Sequence, residues 1–227
     1  MTPMTALALF SALFVGTHFL MSHPLRAAMV ARLGERGFAG VYSLISLLLF
    51  GGMIWAYGPA VRTATEAWWA VPTWLWWVAT LLMWLGSVLF VGSLRRNPAF
   101  PNPGKPITSI GEARGTFAVT RHPMMWGFAL WALVHALVVP NCASFILSGA
   151  ILVLALGGAA GQDAKKRKLM GAPWVDWQRR TAFVPFAKGF ALPDAFALAG
   201  GTILWLVATW AHGALGYMPA GIFAFVS

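Results

Sequence analysis

The sequence predicts an all-α protein, a polytopic membrane bundle of about six transmembrane helices with both termini on the non-cytoplasmic side. Three observations predict it. The chain of 227 residues is 59% hydrophobic and only 10% charged, where an ordinary soluble domain is about a quarter charged. Six apolar runs approach the ~20 residues a helix needs to cross a hydrocarbon core of about 30 Å. The basic side chains gather in every second connection between those runs, as a membrane topology requires and a soluble fold does not.

The first run, about Met4–Ser22, has no Lys or Arg before it, so it reads as a retained anchor rather than a secretory signal. Arg26, Arg32 and Arg36 separate it from the second, Phe38–Tyr57. The third, Pro72–Leu94, is preceded or opened by Trp68, Trp69, Trp74, Trp76 and Trp77, indoles that favour the headgroup boundary. The loop after it holds Asn97-Pro98, Asn102-Pro103-Gly104 and Lys105-Pro106, turn signals that predict irregular chain rather than a domain. The fourth run, Pro123–Val139, starts on a proline whose missing N–H costs nothing in a first helical turn. The fifth, Ala143–Gly161, closes on Gly157-x-x-x-Gly161, which permits close helix contact. The sixth is Ala195–Tyr217.

Three basic residues follow the first run, five (Arg95, Arg96, Lys105, Arg114, Arg121) follow the third, and seven follow the fifth. That is fifteen of sixteen, with Arg62 alone on the other side. The positive-inside rule makes the basic side cytoplasmic and predicts a multi-pass membrane protein. The net charge of +10 is then a record of orientation and no sign of a nucleic acid partner; the first partner is the lipid bilayer. Lys165–Lys168 reads as a stop-transfer signal placed to meet anionic headgroups. A single cysteine, Cys142, rules out a disulfide scaffold. With no internal repeat, residues 1–227 read as one integral membrane domain.

No Asp or Glu lies inside a run, which argues against a carboxylate proton relay or an ion-coupled transporter. Histidine remains. His23 and His122 precede prolines near the cytoplasmic interface, and His212 approaches the outer one. His18 and His135 fall within hydrocarbon, where an unpartnered imidazole is costly. Each is either a satisfied core histidine or one half of a shared site. Haem iron is the natural shared ligand, since imidazole binds it axially and a flat macrocycle suits a slot between helices. Trp126 and Trp131 either line such a slot or pack plainly. Arg121 and His122, at the entry to the fourth run, either anchor the helix end or receive an anionic group such as a carboxylate.

Arg121-His122-Pro123 followed by Trp131-x-x-x-His135 resembles the NnrU family of membrane proteins. So do His18, Pro24-Leu25-Arg26 and Gly34-Glu35-Arg36-Gly37-Phe38, and further on Lys168-Leu169-x-Gly171-x-x-Trp174 and Pro185-Phe186. The resemblance covers about residues 6–188, leaving a C-terminal helix, 195–217, beyond it. It implies a bacterial inner-membrane protein linked to denitrification and nitrogen-oxide redox metabolism. Through the related cis-zeta-carotene isomerases it also implies a b-type haem. Their axial histidines fall on His18 and His135, with Arg26 and Arg121 as propionate partners and His122 beside them. Bis-histidine iron suits electron transfer or sensing, and nitric oxide is a ligand that could displace one histidine. The isomerases carry a cysteine where this chain has Ala132, so a thiolate switch is absent.

Two further readings follow from the resemblances. The chain is similar to the carotenoid isomerases, which implies cis–trans isomerisation of a polyene, a hydrophobic small molecule. Arg-His-Pro at a helix start also resembles membrane methyltransferases that bind S-adenosylmethionine. Here, however, Lys165-Lys166-Arg167-Lys168-Leu169 stands where their glutamates belong, and Met125 replaces their usual aromatic. A non-catalytic assembly protein is the remaining alternative.

Overall fold

The computed structural model describes residues 1–64, 66–100 and 109–222. Among them the regular elements are eight helices: α1 Pro3–Ser22, α2 Arg26–Thr63, α3 Thr73–Gly92, α4 Thr116–Val119, α5 Pro123–Val138, α6 Cys142–Met170, α7 Ala172–Arg180 and α8 Ala195–Ala214. Each of the six apolar runs lies on one of them. Five of the helices are long and apolar enough to cross a membrane; α5, at 16 residues, is shorter. It stops there because Pro140 follows, and Asn141 instead caps α6, its Oδ1 accepting the Ser144 N–H at 2.9 Å. Asn102-Pro103-Gly104 and Lys105-Pro106 lie outside the described residues.

The helices gather into two compact units, Met1–Ala70 with His135–Gly158, and Val71–Val134 with Ala159–Ser227. In the first unit, Thr2 caps α1 by accepting the Thr5 N–H at 3.1 Å, and Pro3 opens the helix. α2 is broken at Gly34, whose φ of 69° is left-handed backbone that favours glycine. Arg26 reaches across this break to Glu35 at 2.8 Å. α1 packs on α2 where the Phe10 ring covers the bare face of Gly52, and on α6 where the Phe19 ring covers Gly157. The glycine expected to permit close approach is therefore used, and its partner is an aromatic ring. Trp68 and Trp69 hold the start of α6, through a Trp68 N–H bond to the Pro140 carbonyl at 2.7 Å and a ring contact with Phe145 at 4.6 Å.

In the second unit, α3 and α8 meet backbone to backbone: a Cβ on Gly201 would stand 2.4 Å from Val88 Cα. Gly86 of α3 and Gly127 of α5 do the same, a Cβ on Gly127 falling 2.9 Å from the Gly86 carbonyl oxygen. Without a hydrophobic force between helices in lipid, such close packing is what holds them. Two short helices that the apolar runs do not reveal, α4 and α7, carry a satellite core of Phe117, Trp174 and Trp177. α6 continues past Gly161 to Met170, so Lys165–Lys168 lie on helix rather than in a loop.

Candidate functional site

The entry to α5 is built on Asp163. Thr120 ends α4 in extended backbone, and Arg121 and His122 form the link to Pro123. This link lies along residues 182–186: the Arg121 N–H donates to the Ala182 carbonyl at 2.8 Å and the Phe186 N–H to Val119 at 3.0 Å. The backbone thus aims both side chains at the end of α6. Arg121 Nε and Nη2 donate to Asp163 Oδ2 at 2.9 and 2.7 Å, while Nη1 donates to the Thr181 carbonyl at 3.0 Å. His122 Nε2 meets Asp163 Oδ1 at 3.0 Å, and Nδ1 meets the Gln162 side-chain amide at 3.2 Å. Trp174 Nε1 donates to the same Oδ1 at 3.2 Å. The Phe183 ring lies against both, 5.3 Å from the guanidinium carbon and 5.2 Å from the imidazole.

The His122 side chain is fully buried and Asp163 nearly so. The α6 helix spans about 43 Å at 1.5 Å per residue, more than a hydrocarbon core, and Asp163 lies past its apolar stretch. Burial works to raise this carboxyl, but the hydrogen bonds and charges of His122 and Arg121 outweigh it and hold it well below the usual carboxylate range. The adjoining cavity measures about 20 Å³, room for one water. Arg121 and His122, expected to receive a cofactor's anionic group, are in this arrangement taken up by Asp163. The cluster joins α5, α6, α7 and the 181–186 segment, and its chemistry is that of a staple. Sequence reasoning missed Gln162 and Asp163, and met Trp174 only as part of a motif without a place in this cluster. The available signal was one acid standing two residues before a run of four bases.

The other expected residues lie in the first unit. His18 is half-buried in the last turns of α1, with its Nδ1–H donating to the Phe14 carbonyl at 2.7 Å. The rings of Phe14 and Tyr42 stand edge-on at 4.3 and 5.3 Å. With the proton on Nδ1, Nε2 carries the lone pair, the tautomer a metal ligand adopts. His18 would hold a metal or haem iron through Nε2. His135 sits in the last turn of α5, where its carbonyl accepts from Ser144 Oγ at 3.1 Å. Ser144 and Gly157 mark where α6 meets His135 and Phe19, and 13 residues of helix separate them by about 20 Å. A separation of that order along α6 weighs against one ion shared by His18 and His135. Arg26, the other expected propionate partner, is paired with Glu35.

Comparison with known proteins agrees with the sequence resemblance. A curated relative, the chloroplastic 15-cis-zeta-carotene isomerase of Arabidopsis thaliana, is 33% identical over 86 residues, which are 38% of this chain and 23% of the relative. The shared segment is thus under a quarter of that protein's length. No solved structure matches. The NnrU protein family matches residues 6–220, a range that takes in α8 as well as the motifs above, and the chain belongs to the NnrU family.

Proposed function

We propose that this NnrU protein is a membrane-embedded cis–trans isomerase of a polyene lipid, using a b-type haem held on Nε2 of His18. What supports this most is the likeness to a carotene isomerase within the NnrU family; His18, its Nδ1–H held on the Phe14 carbonyl, leaves Nε2 available as a ligand. The 15-cis-carotene named for the relative supports the substrate class.

Isomerisation changes the geometry about one double bond and nothing else, so the bond order must fall briefly and recover. When bound, the haem supplies the redox-active centre for that change. The remaining tasks belong to the chain. The Phe14 carbonyl sets the plane of the imidazole, and the Phe14 and Tyr42 rings give its surroundings an apolar wall suited to a hydrocarbon. The six apolar runs carry no Asp or Glu, which leaves no carboxyl there to protonate the polyene. Arg121, His122 and Asp163 fix the fold and touch no substrate in this reading.

The test is incubation of purified, detergent-solubilised protein with a 15-cis polyene in the dark, with isomers resolved by chromatography. The expected result is conversion that depends on a Soret-absorbing protein. Haem-loaded protein that converts none of several cis polyenes overturns the isomerase reading.

A further inference from the structure

Between α7 and α8 the chain makes a turn that presents large apolar side chains outward. Phe190 is 82% exposed, Leu192 70% and Val184 50%. None of the three lies on a helix, so a lipid-facing span does not account for them. Exposed apolar groups gathered in one place mark a contact with something else. They lie in the second unit, apart from His18, and nothing in the proposed reaction uses them.

The turn is fixed. The Phe186 N–H donates to the Val119 carbonyl at 3.0 Å, and its side chain packs against the core of Leu89, Val119 and Leu130. Its φ of 63° is left-handed backbone, which a non-glycine residue keeps only where its surroundings demand it. The Ala187 N–H donates to the Val184 carbonyl at 3.2 Å and the Gly189 N–H to the Phe186 carbonyl at 3.0 Å. Phe190 then emerges with its ring stacked on that of Phe186, 6.0 Å away and 12° from parallel.

The same contacts set its depth. α8 has 20 residues and spans about 30 Å, the thickness of a hydrocarbon core, so its cap at Asp194 stands at one boundary. Leu192 comes two residues before that cap. Leu89 lies three residues inside the end of α3 and Leu130 seven inside the start of α5, about 5 and 10 Å of helix. Phe186, packed on both, is therefore drawn back to the hydrocarbon edge, and Phe190 with it. Between the two rings comes Lys188, exposed, its ammonium donating to the Arg179 carbonyl and keeping N–H groups to spare. Arg179 is exposed too, whereas the nearby acids are engaged: Asp176 holds Arg180 at 2.8 Å and Asp194 accepts the Ala197 N–H at 2.9 Å.

We propose that residues 184–192 are an interfacial anchor whose partner is anionic lipid. Phe190 and Leu192 enter the acyl chains at the edge of the leaflet, and Lys188 and Arg179 meet the phosphates above them. Apolar side chains beside cations at one boundary match the two layers of such a surface. The anchor is independent of the isomerase reading.

The experiment uses the full chain, one copy per nanodisc, with Cys142→Ser removing the single native thiol and Ala187→Cys carrying an environment-sensitive dye on the turn. Discs are phosphatidylcholine with or without phosphatidylglycerol, and with or without a lipid bearing a nitroxide high on its acyl chain. The dye is expected to be quenched by the nitroxide lipid and shielded from aqueous iodide, more so with phosphatidylglycerol. Phe190→Ser with Leu192→Ser should abolish the shielding, and Lys188→Gln should abolish the gain from phosphatidylglycerol. Both apolar residues are exposed, so an unchanged thermal midpoint in detergent is expected to show the fold intact. A dye fully open to iodide in the unsubstituted turn overturns the proposal, as does shielding that survives the paired serines. Shielding without nitroxide quenching means cover by protein, and equal shielding with and without phosphatidylglycerol removes the anionic partner; either result overturns it as well.

Discussion

Asp163 accepts from Arg121, His122 and Trp174 while 6% exposed. Asp163→Asn leaves a buried guanidinium without its counter-charge. It is expected to cost about 3–5 kcal/mol, read by thermal or denaturant unfolding in detergent. The carboxyl titrates lower in the folded chain than its unfolded value of about 3.9. Its contribution is therefore complete above that range and lost as pH falls below it. Wild-type stability should fall progressively once pH drops below about 5, with the loss continuing below about pH 3, and Asp163→Asn should flatten that fall. The Arg121-His122-Pro123 half of this cluster was legible in the sequence as a helix entry. Its partner was not, because an acid two residues past the apolar run reads as solvated loop, whereas the helix carries it on and turns it back to Arg121.

At the scale of elements, bare glycine faces decide the packing. Gly127→Ala would drive a methyl to 2.9 Å from the Gly86 carbonyl oxygen and is expected to destabilise by about 1–3 kcal/mol. Gly158→Ala, on open space in α6, is expected to be neutral or stabilising by up to about 1 kcal/mol. Equal effects for the two in unfolding experiments would contradict this account of the α3–α5 contact. Hydropathy made α1, α3 and α8 legible to within a few residues, since their ends coincide with the ends of apolar runs. It undershot α2 and α6, whose Arg- and Lys-bearing ends keep helical geometry after leaving the apolar stretch, those residues being good helix formers. It missed α7 altogether. Trp174 and Trp177, three residues apart, form a buried face inside what composition marks as a basic loop.

At the scale of the whole molecule, the exposed side chains are those of a lipid-facing surface: Leu47 is 68% exposed, Trp55 71% and Ile203 62%. Soluble proteins rarely present such faces, and the chain is expected to stay monodisperse only in detergent or lipid. Composition alone made this legible. The pairing of His18 with His135 was a different matter, because equal cost in hydrocarbon says nothing about equal depth; the contacts of α6 with Phe19 and His135 supply the depth. Haem held by His18 alone is accordingly the proposed arrangement. Absorption spectra of wild type, His18→Ala and His135→Ala, purified from haem-replete cells, test that assignment most directly. The account predicts a Soret band in wild type and His135→Ala that is absent from His18→Ala. A colourless wild type, or a band lost from well-folded His135→Ala as fully as from His18→Ala, would contradict it.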